Sequence, residues 1–219
     1  MSGISGKRRS IHQERRDIRD LNDWIWRAIM EYIQQIDNNI MLFLQSIRNP
    51  VLSAILLPIT KSGNHGIIVI ALILLTLFFK SERKTFFTAA LGLILGSLVT
   101  IVLLKPFIMR PRPYVSIEEL AALVDMSSDP NSFPSGHTTA VFAMAMGWQL
   151  ASEKKWLKIF GWVLAVLMAF SRLYVGVHYP TDVLAGALIG MAGSFAAWQI
   201  VKRAFAAFEK RKREKNEST

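Results

Sequence analysis

The sequence predicts an all-α membrane protein, a polytopic bundle of five clear transmembrane helices, possibly six, with amphipathic helices at its N-terminal end. Of the 219 residues, 52% are hydrophobic and only 19% are charged, whereas about a quarter of a soluble domain is charged. The charges are concentrated in both ends and in short loops, so long uncharged stretches remain. This pattern argues against a soluble basic domain that binds nucleic acid, despite the net charge of +10. The absence of cysteine excludes disulfides, cysteine nucleophiles and zinc–thiolate sites.

Five apolar runs approach the length of about 20 residues that a helix needs to cross the hydrocarbon core. The first, second and fifth are too long and too apolar for ordinary core helices, and the charges between runs support the other two. Glycine pairs in the second run (Gly92, Gly96) and in the fifth (Gly186, Gly190) have the small-xxx-small spacing of helix packing. The runs are Ser62–Phe79, Phe86–Leu104, Pro134–Ala151, Trp156–Tyr174 and Pro180–Val201.

Lysines and arginines in the short loops predict the orientation, because such residues are retained in the cytoplasm. They occur in residues 80–84, in residues 154–158 and in the tail after the fifth run. All three segments fall on one side if each run spans once, so that side is predicted to be cytoplasmic. Residues 105–133 and the turn at 175–179 then share the opposite, extracytoplasmic face, and they are expected to be neighbours there.

The first 60 residues fit this topology less well. Residues 1–20 form a basic arm, and Leu21–Gln35 and Asn39–Ile59 are interpreted as helices lying in the membrane interface. Five spans place the basic arm outside the cell, against its charge preference, and a sixth crossing within residues 21–60 would remove the conflict. The predicted organisation is a basic arm (1–20), interfacial helices (21–60), a membrane-embedded domain (61–202) and a basic cytoplasmic tail (203–219).

Ionisable residues at membrane depth are energetically costly and usually functional, and here they cluster at the outer ends of the runs. Arginine and lysine donors match the oxygens of a phosphate, and a helix start with free backbone N–H groups binds anions. Histidines can supply a nucleophile and a proton donor, and a nearby carboxylate can fix the tautomer of one of them. The ionisable residues of this cluster and the two residues at the helix start are Lys105, Arg110, Arg112, Ser135, Gly136, His137, Arg172, His178 and Asp182.

Each of these features has a simpler explanation when it is taken alone. Arg172 could be a headgroup anchor at a helix end, and His178 could be an interfacial histidine. Ser135 and Gly136 could be ordinary turn residues. Their coincidence on one predicted face favours a phosphate site instead.

Three motifs carry a resemblance to a known family. They are a lysine followed after six residues by arginine-proline (Lys105 to Arg112-Pro113), the run Pro134-Ser135-Gly136-His137, and Ser171-Arg172 followed by His178 and Asp182. With these motifs the chain resembles the type 2 phosphatidic acid phosphatase superfamily of integral membrane lipid phosphatases. That superfamily shares its site with soluble vanadium haloperoxidases and acid phosphatases. The resemblance covers roughly residues 50–202.

The resemblance implies a mechanism and a role for each motif residue. His178 attacks phosphorus and forms a phosphohistidine, Asp182 orients His178, and His137 protonates the leaving oxygen. The phosphate oxygens are bound by Lys105, Arg112, Arg172, Ser135 and the Gly136 N–H. No metal and no cofactor is implied, and Arg110 is interpreted as a contact for a headgroup or a second phosphate.

The predicted function is hydrolysis of a phosphomonoester or pyrophosphate on a lipid, such as undecaprenyl pyrophosphate, phosphatidylglycerol phosphate or phosphatidic acid. The alternatives are a lipid A or lipopolysaccharide phosphatase, a haloperoxidase-like enzyme, and a nonenzymatic lipid-binding or transport protein on the same scaffold. The predicted partners are the bilayer and the lipid phosphate, with no nucleic acid, and the sequence leaves the oligomeric state open. The predicted location is the plasma or inner membrane, with the site facing outward.

Overall fold

The computed structural model describes residues 11–63 and 66–217, with side chains from residue 19 onward. Within these residues all secondary-structure elements are helices and no strand forms, which confirms the predicted all-α class. The helices are α1 (Ile11–Ser46), α2 (Pro50–Ser62), α3 (Ile67–Leu75), α4 (Arg83–Ser97), α5 (Lys105–Ile108), α6 (Pro113–Ser116), α7 (Gly136–Ala151), α8 (Lys155–Tyr174) and α9 (Pro180–Glu217).

The N-terminal region forms one long helix where two interfacial segments are predicted. The predicted helix Leu21–Gln35 lies inside α1, which has 36 residues. The predicted segment Asn39–Ile59 is wrong in its bounds, because α1 continues to Ser46 and α2 begins at Pro50. The side chain of Asn49 accepts a hydrogen bond from the backbone N–H of Leu52 at 2.9 Å. An asparagine cap followed by proline at the first helical position is a strong helix start, and it fixes this boundary.

In the described residues the first predicted run, Ser62–Phe79, is not one straight helix, and its crossing of the membrane stays a prediction. α2 ends at Ser62 and α3 begins at Ile67, and the two meet at an angle of 74°. Gly66 has a φ of +69°, a left-handed conformation that glycine adopts without steric cost. The polar, glycine-containing sequence Ser62-Gly63-Asn64-His65-Gly66 at the start of the predicted run is typical of a turn.

Three helical stretches in the described part of the chain are long and apolar enough to cross a membrane: Lys80–Ile108, Lys155–Tyr174 and Pro180–Glu217. The bent pair of α2 and α3 would be a fourth. The third predicted run forms α7, whose 16 residues are fewer than the roughly 20 of a typical span. The spanning stretches also expose large apolar side chains to their surroundings, for example Ile94 and Leu188. The protein is therefore a membrane protein, and the count of five spans stays a prediction.

α7 lies at the centre of the bundle, packed against α4, α8 and α9. Glycines permit this close approach, as their spacing predicts. A Cβ atom on Gly190 of α9 would lie 2.3 Å from the carbonyl oxygen of Thr139 on α7. A Cβ atom on Gly92 of α4 would lie 2.0 Å from the hydroxyl of Ser194 on α9. The tight packing sets the relative positions of the ends of these helices.

The two ends of the bundle differ in character. At one end the basic residues gather: Lys84 pairs with Glu209 at 3.4 Å, and Lys154 lies over the ring of Phe79 at 5.1 Å. At the other end lie α5, α6, the connection from 117 to 135, the first turn of α7, the last turn of α8 and the first turn of α9. All three motifs singled out in the sequence lie at this second end.

Candidate active site

Backbone and side-chain hydrogen bonds tie the three motifs together. Arg112, from the connection between α5 and α6, donates from Nη1 to the carbonyl oxygen of Val177 at 2.8 Å, and the same nitrogen lies 3.4 Å from Nε2 of His178. The backbone N–H of Ser135, just before α7, donates to the carbonyl oxygen of Asp182 at 3.1 Å. Residues far apart in the sequence thus form one cluster, as the predicted topology requires.

His178 and Asp182 are paired. Nδ1 of His178 lies 3.6 Å from Oδ2 of Asp182, and both side chains are almost fully buried. Asp182 is on the first turn of α9, where its carboxylate accepts the backbone N–H of Tyr179 at 2.8 Å in the manner of a residue near a helix start. The carboxylate therefore faces Nδ1, which leaves Nε2 on the side of Arg112.

The surroundings of His178 keep its ring neutral. Burial lowers the pKa of His178 well below its ordinary value, and the charges of Arg172, Arg112 and Lys105 lower it further. Burial and nearby cations both disfavour the imidazolium form. A neutral imidazole with a free nitrogen lone pair can act as a nucleophile.

His137, on the first turn of α7, shares this environment. The charges of Arg172, Lys105 and Arg112 act on its ring, and so does His178. A Cβ atom on Gly63 would lie 2.5 Å from Cδ2 of His137, so the end of α2 packs directly against the ring. The charges of the same three cations therefore act on both histidines.

Two of the three cations are arginines held inside the protein. Arg112 is 0% exposed and Arg172 is 1% exposed. Arg172 donates from Nη1 to Oγ1 of Thr60 at 2.6 Å, while its buried Nε makes no hydrogen bond to any residue that the structure describes. Buried polar atoms are nearly always paired, so a buried guanidinium nitrogen left without a partner is consistent with an anionic ligand.

The start of α7 presents space to this cluster. Ser135 caps the helix, and its hydroxyl accepts the hydroxyl proton of Thr138 at 2.9 Å. A Cβ atom on Gly136 would have no described atom within 4 Å. The first backbone N–H groups of a helix attract anions, so Ser135 and Gly136 lie where an oxyanion can approach.

The third cation, Lys105, is paired with a residue that sequence analysis missed. The ammonium of Lys105 bonds to the carboxylate of Asp129, and Nη2 of Arg112 lies 3.1 Å from the same carboxylate. Asp129 belongs to the long connection before α7 and to none of the three motifs. Only its position within the predicted outer loop could have drawn attention to it.

The sequence predicts that Arg110 contacts a headgroup or a second phosphate, whereas in the structure it pairs with two carboxylates of the protein. Its guanidinium donates to the carboxylates of Asp182 and Asp37, each at 2.7 Å. Asp37 lies on α1 and is buried. In the sequence Asp37 counts only as a charge that interrupts an apolar segment, because no local pattern relates it to Arg110.

Fold and site together define an all-helical membrane protein with a buried cluster of histidines and arginines at one end of the helix bundle. The family model of the PAP2 superfamily matches residues 85–206. The chain belongs to the PAP2 superfamily, and the resemblance to the type 2 phosphatidic acid phosphatases is thereby confirmed.

Characterised relatives span most of the chain. An undecaprenyl-diphosphatase of Sulfolobus acidocaldarius is 35% identical over 172 residues, covering 76% of this chain and 80% of that protein. A lipid A 4'-phosphatase of Porphyromonas gingivalis is 26% identical over 168 residues, covering 74% and 71%. Among solved structures, a transmembrane PAP2 type phosphatidylglycerolphosphate phosphatase from Bacillus subtilis has a TM-score of 0.63 and 29% identity, covering 78% of this chain and 87% of that one.

Proposed function

We propose that this PAP2 protein is a lipid phosphatase that hydrolyses a phosphomonoester or pyrophosphate headgroup through a phosphohistidine intermediate. One observation carries the proposal: the two histidines lie in the field of the same three cations. Three fixed positive charges match a phosphate group, whose charge increases on the equatorial oxygens during transfer. The catalytic residues are His178, His137 and Asp182, and the phosphate is bound by Lys105, Arg112, Ser135, Gly136 and Arg172.

The first step transfers the phosphoryl group to the enzyme. The Nε2 lone pair of His178 attacks phosphorus, a bond forms between nitrogen and phosphorus, and the bond to the leaving oxygen breaks. His137 gives a proton to that oxygen, in an imidazolium form that the negative charge of the bound phosphate stabilises against the three cations. The lipid therefore leaves with a free hydroxyl or, from a pyrophosphate, as a lipid monophosphate. Asp182 stabilises the positive charge that develops on the ring of His178.

The second step returns the enzyme to its starting state. A water molecule attacks phosphorus, His137 accepts a proton from that water, and the nitrogen–phosphorus bond breaks. Inorganic phosphate then leaves with the oxygen of the water. His137 serves as acid in one step and as base in the other, with the negative charge of the bound phosphoryl group offsetting the three cations while the ring is protonated.

We place the site on the extracytoplasmic face of the plasma or inner membrane, in a topology of five spans. The basic cluster around Lys84 and Lys154 lies at the opposite end of the bundle from His178, and basic loops favour the cytoplasm. A lipid could then keep its chains in the bilayer while its phosphate enters between the helix ends. Labelling of single introduced cysteines at residues 118 and 212 in intact cells tests the orientation, since only the first should react.

The relatives suggest the class of substrate. Their names include an undecaprenyl-diphosphatase and a phosphatidylglycerolphosphate phosphatase, and the described site presents three cations that suit the phosphate these substrates share. Undecaprenyl pyrophosphate and phosphatidylglycerol phosphate are accordingly the favoured substrates. Lipid A is the second candidate, because a lipid A 4'-phosphatase is among the relatives.

The test is phosphate release by the purified chain in detergent from a panel of these lipids, with His178→Ala as the control. Release by the wild type and loss in the variant support the proposal, and the ranking of kcat/KM identifies the substrate. Binding of the lipids without release would favour a nonenzymatic lipid-binding protein. Vanadate-dependent halide oxidation without phosphate release would favour the haloperoxidase alternative.

A further inference from the structure

Arg110 lies between two buried carboxylates that come from opposite ends of the chain. Its Nη1 donates to Oδ1 of Asp182 and its Nη2 donates to Oδ2 of Asp37, each at 2.7 Å. Asp182 is 0% exposed and Asp37 is 1% exposed. A charge-assisted bond from a guanidinium to a buried carboxylate is strong and strongly directional. The arginine therefore joins α1 to the first turn of α9.

Further contacts fix the orientation of this guanidinium. Nη2 also donates to the side-chain oxygen of Gln34 at 2.6 Å, and Nη1 donates to the hydroxyl of Thr181 at 2.6 Å. Its central carbon lies 3.9 Å from the centre of the ring of Tyr179, a favourable place for a cation. Both terminal nitrogens thus have protein acceptors, in contrast to the unpaired Nε of Arg172.

Asp37, like Arg110, makes several hydrogen bonds within the protein. Its Oδ1 accepts the backbone N–H of Thr181 at 3.2 Å, and its Oδ2 accepts the hydroxyl of the same residue as well as Arg110. α1 thus contacts the first turn of α9 directly at Thr181 and, through Arg110, at the adjacent Asp182. A buried carboxylate with this many partners is costly to leave unpaired.

The two oxygens of Asp182 have separate partners. Oδ1 faces Arg110, while Oδ2 accepts the N–H of Tyr179 and faces Nδ1 of His178 at 3.6 Å. The bond to Arg110 therefore fixes the rotation of the carboxylate about its last carbon–carbon bond. That rotation decides whether an oxygen points at the ring of His178.

We propose that Arg110 and Asp37 are positioning residues that hold the carboxylate of Asp182 against His178. α1, which precedes the family match at residues 85–206, thereby supports the active site. This rests on the proposed function, since it assigns the two residues a role in the orientation of the nucleophile. Arg110 does not bind the phosphate or the headgroup of the substrate.

The experiment measures kcat and KM for phosphate release by the full-length protein in detergent. The variants are Arg110→Gln, Arg110→Lys and Asp37→Asn, each alone and combined with Asp182→Asn. The matched control is Asp23→Asn, the same change on the same helix at an exposed side chain. Elution as a single species and an unchanged unfolding temperature identify variants that are folded, and Arg110→Lys keeps the charge should Arg110→Gln fail to fold.

When Asp182 is unchanged, Asp37→Asn and Arg110→Gln should each lower kcat about tenfold to a hundredfold, the range for partners that orient a reacting group. KM should change little, because the three phosphate cations remain. In the Asp182→Asn background the same changes should have almost no further effect, since residues that act through one group are not additive. Asp23→Asn should behave as the wild type.

Three outcomes would overturn the inference. A raised KM at unchanged kcat would mean that Arg110 contacts the substrate. Equal losses in both Asp182 backgrounds would mean a structural role independent of Asp182. Wild-type kinetics in the folded variants would mean that the network has no role in turnover. The proposed function fails separately, when the wild-type protein itself releases no phosphate from any lipid of the panel.

Discussion

The carboxylate of Asp129 lies 3.1 Å from Nη2 of Arg112 and also pairs with Lys105. Two of the three cations proposed to bind the phosphate are thus paired with a carboxylate of the protein itself. The side chain of Asp129 is 39% exposed, so it can turn out into solvent when another anion arrives. Asp129 thereby uses hydrogen-bond donors of Lys105 and Arg112 that are proposed to bind the substrate phosphate.

Replacement of this carboxylate should make phosphate binding tighter. Asp129→Asn removes a competing negative charge, and we expect KM and the inhibition constants of inorganic phosphate and vanadate to fall several-fold. Asp125→Asn is the control, because it makes the same change on an exposed side chain of the same connection. Weaker inhibition in Asp129→Asn, with the control unchanged, would show that Asp129 holds the cations in place rather than competing for them.

Loss of a buried cation should slow the reaction strongly. Arg172→Gln removes a positive charge from the site, and we expect a loss of about 3 kcal/mol in transition-state stabilisation, a factor of 10² or more in kcat/KM. Arg83→Gln, an exposed arginine at the basic end, should keep the wild-type rate. A near-normal rate in Arg172→Gln would mean that this buried cation does not bind the phosphate.

The acid side of the pH profile should reflect the cations around His178. Burial, Arg172, Arg112 and Lys105 all lower the pKa of His178, and its partner Asp182 faces Nδ1. His178 is therefore neutral at pH values well below 6.5, and it should not limit kcat/KM of the wild type there. In Arg172→Gln the pKa of His178 rises, so the acid limb should move to higher pH. Because both enzymes receive the same substrate, ionisation of the lipid phosphate cancels from the comparison.

Chelators should have little effect on turnover, because three fixed cations provide the charge neutralisation proposed here. The measurement is the rate of phosphate release after incubation with EDTA and removal of free metal by gel filtration. A large loss of rate that added magnesium restores would contradict the proposed role of Lys105, Arg112 and Arg172.

The sequence predicts that the three motifs meet at one end of the bundle, because their meeting depends on periodic and local signals. Apolar runs separated by basic loops placed His178 and Arg112 on the same face, and helix packing then brought them to 3.4 Å. The glycine spacing in the second and fifth runs likewise predicted close contacts, which Gly92 and Gly190 make. In both cases the signal is local: one is an apolar run of about 20 residues, and the other is a pair of glycines with small-xxx-small spacing.

Other features depend on contacts that no local pattern encodes. Asp37 and Arg110 are 73 residues apart, and nothing in either neighbourhood indicates that a buried pair will form. Asp129 was missed for the same reason. The break before Ile67 was missed although Ser62-Gly63-Asn64-His65-Gly66 is a local turn signal, because the predicted run included these residues.

The most direct test of the account is to trap phosphate on the enzyme. The full-length protein is mixed with a lipid phosphate carrying ³²P in its terminal phosphate, denatured at alkaline pH to preserve phosphohistidine, and mapped by peptide. We expect label on the peptide that contains His178 in the wild type and none in His178→Ala, which should also have lost turnover. Label on a different residue, or rapid phosphate release by a folded His178→Ala variant, would contradict the claim that His178 attacks a phosphate held by Lys105, Arg112 and Arg172.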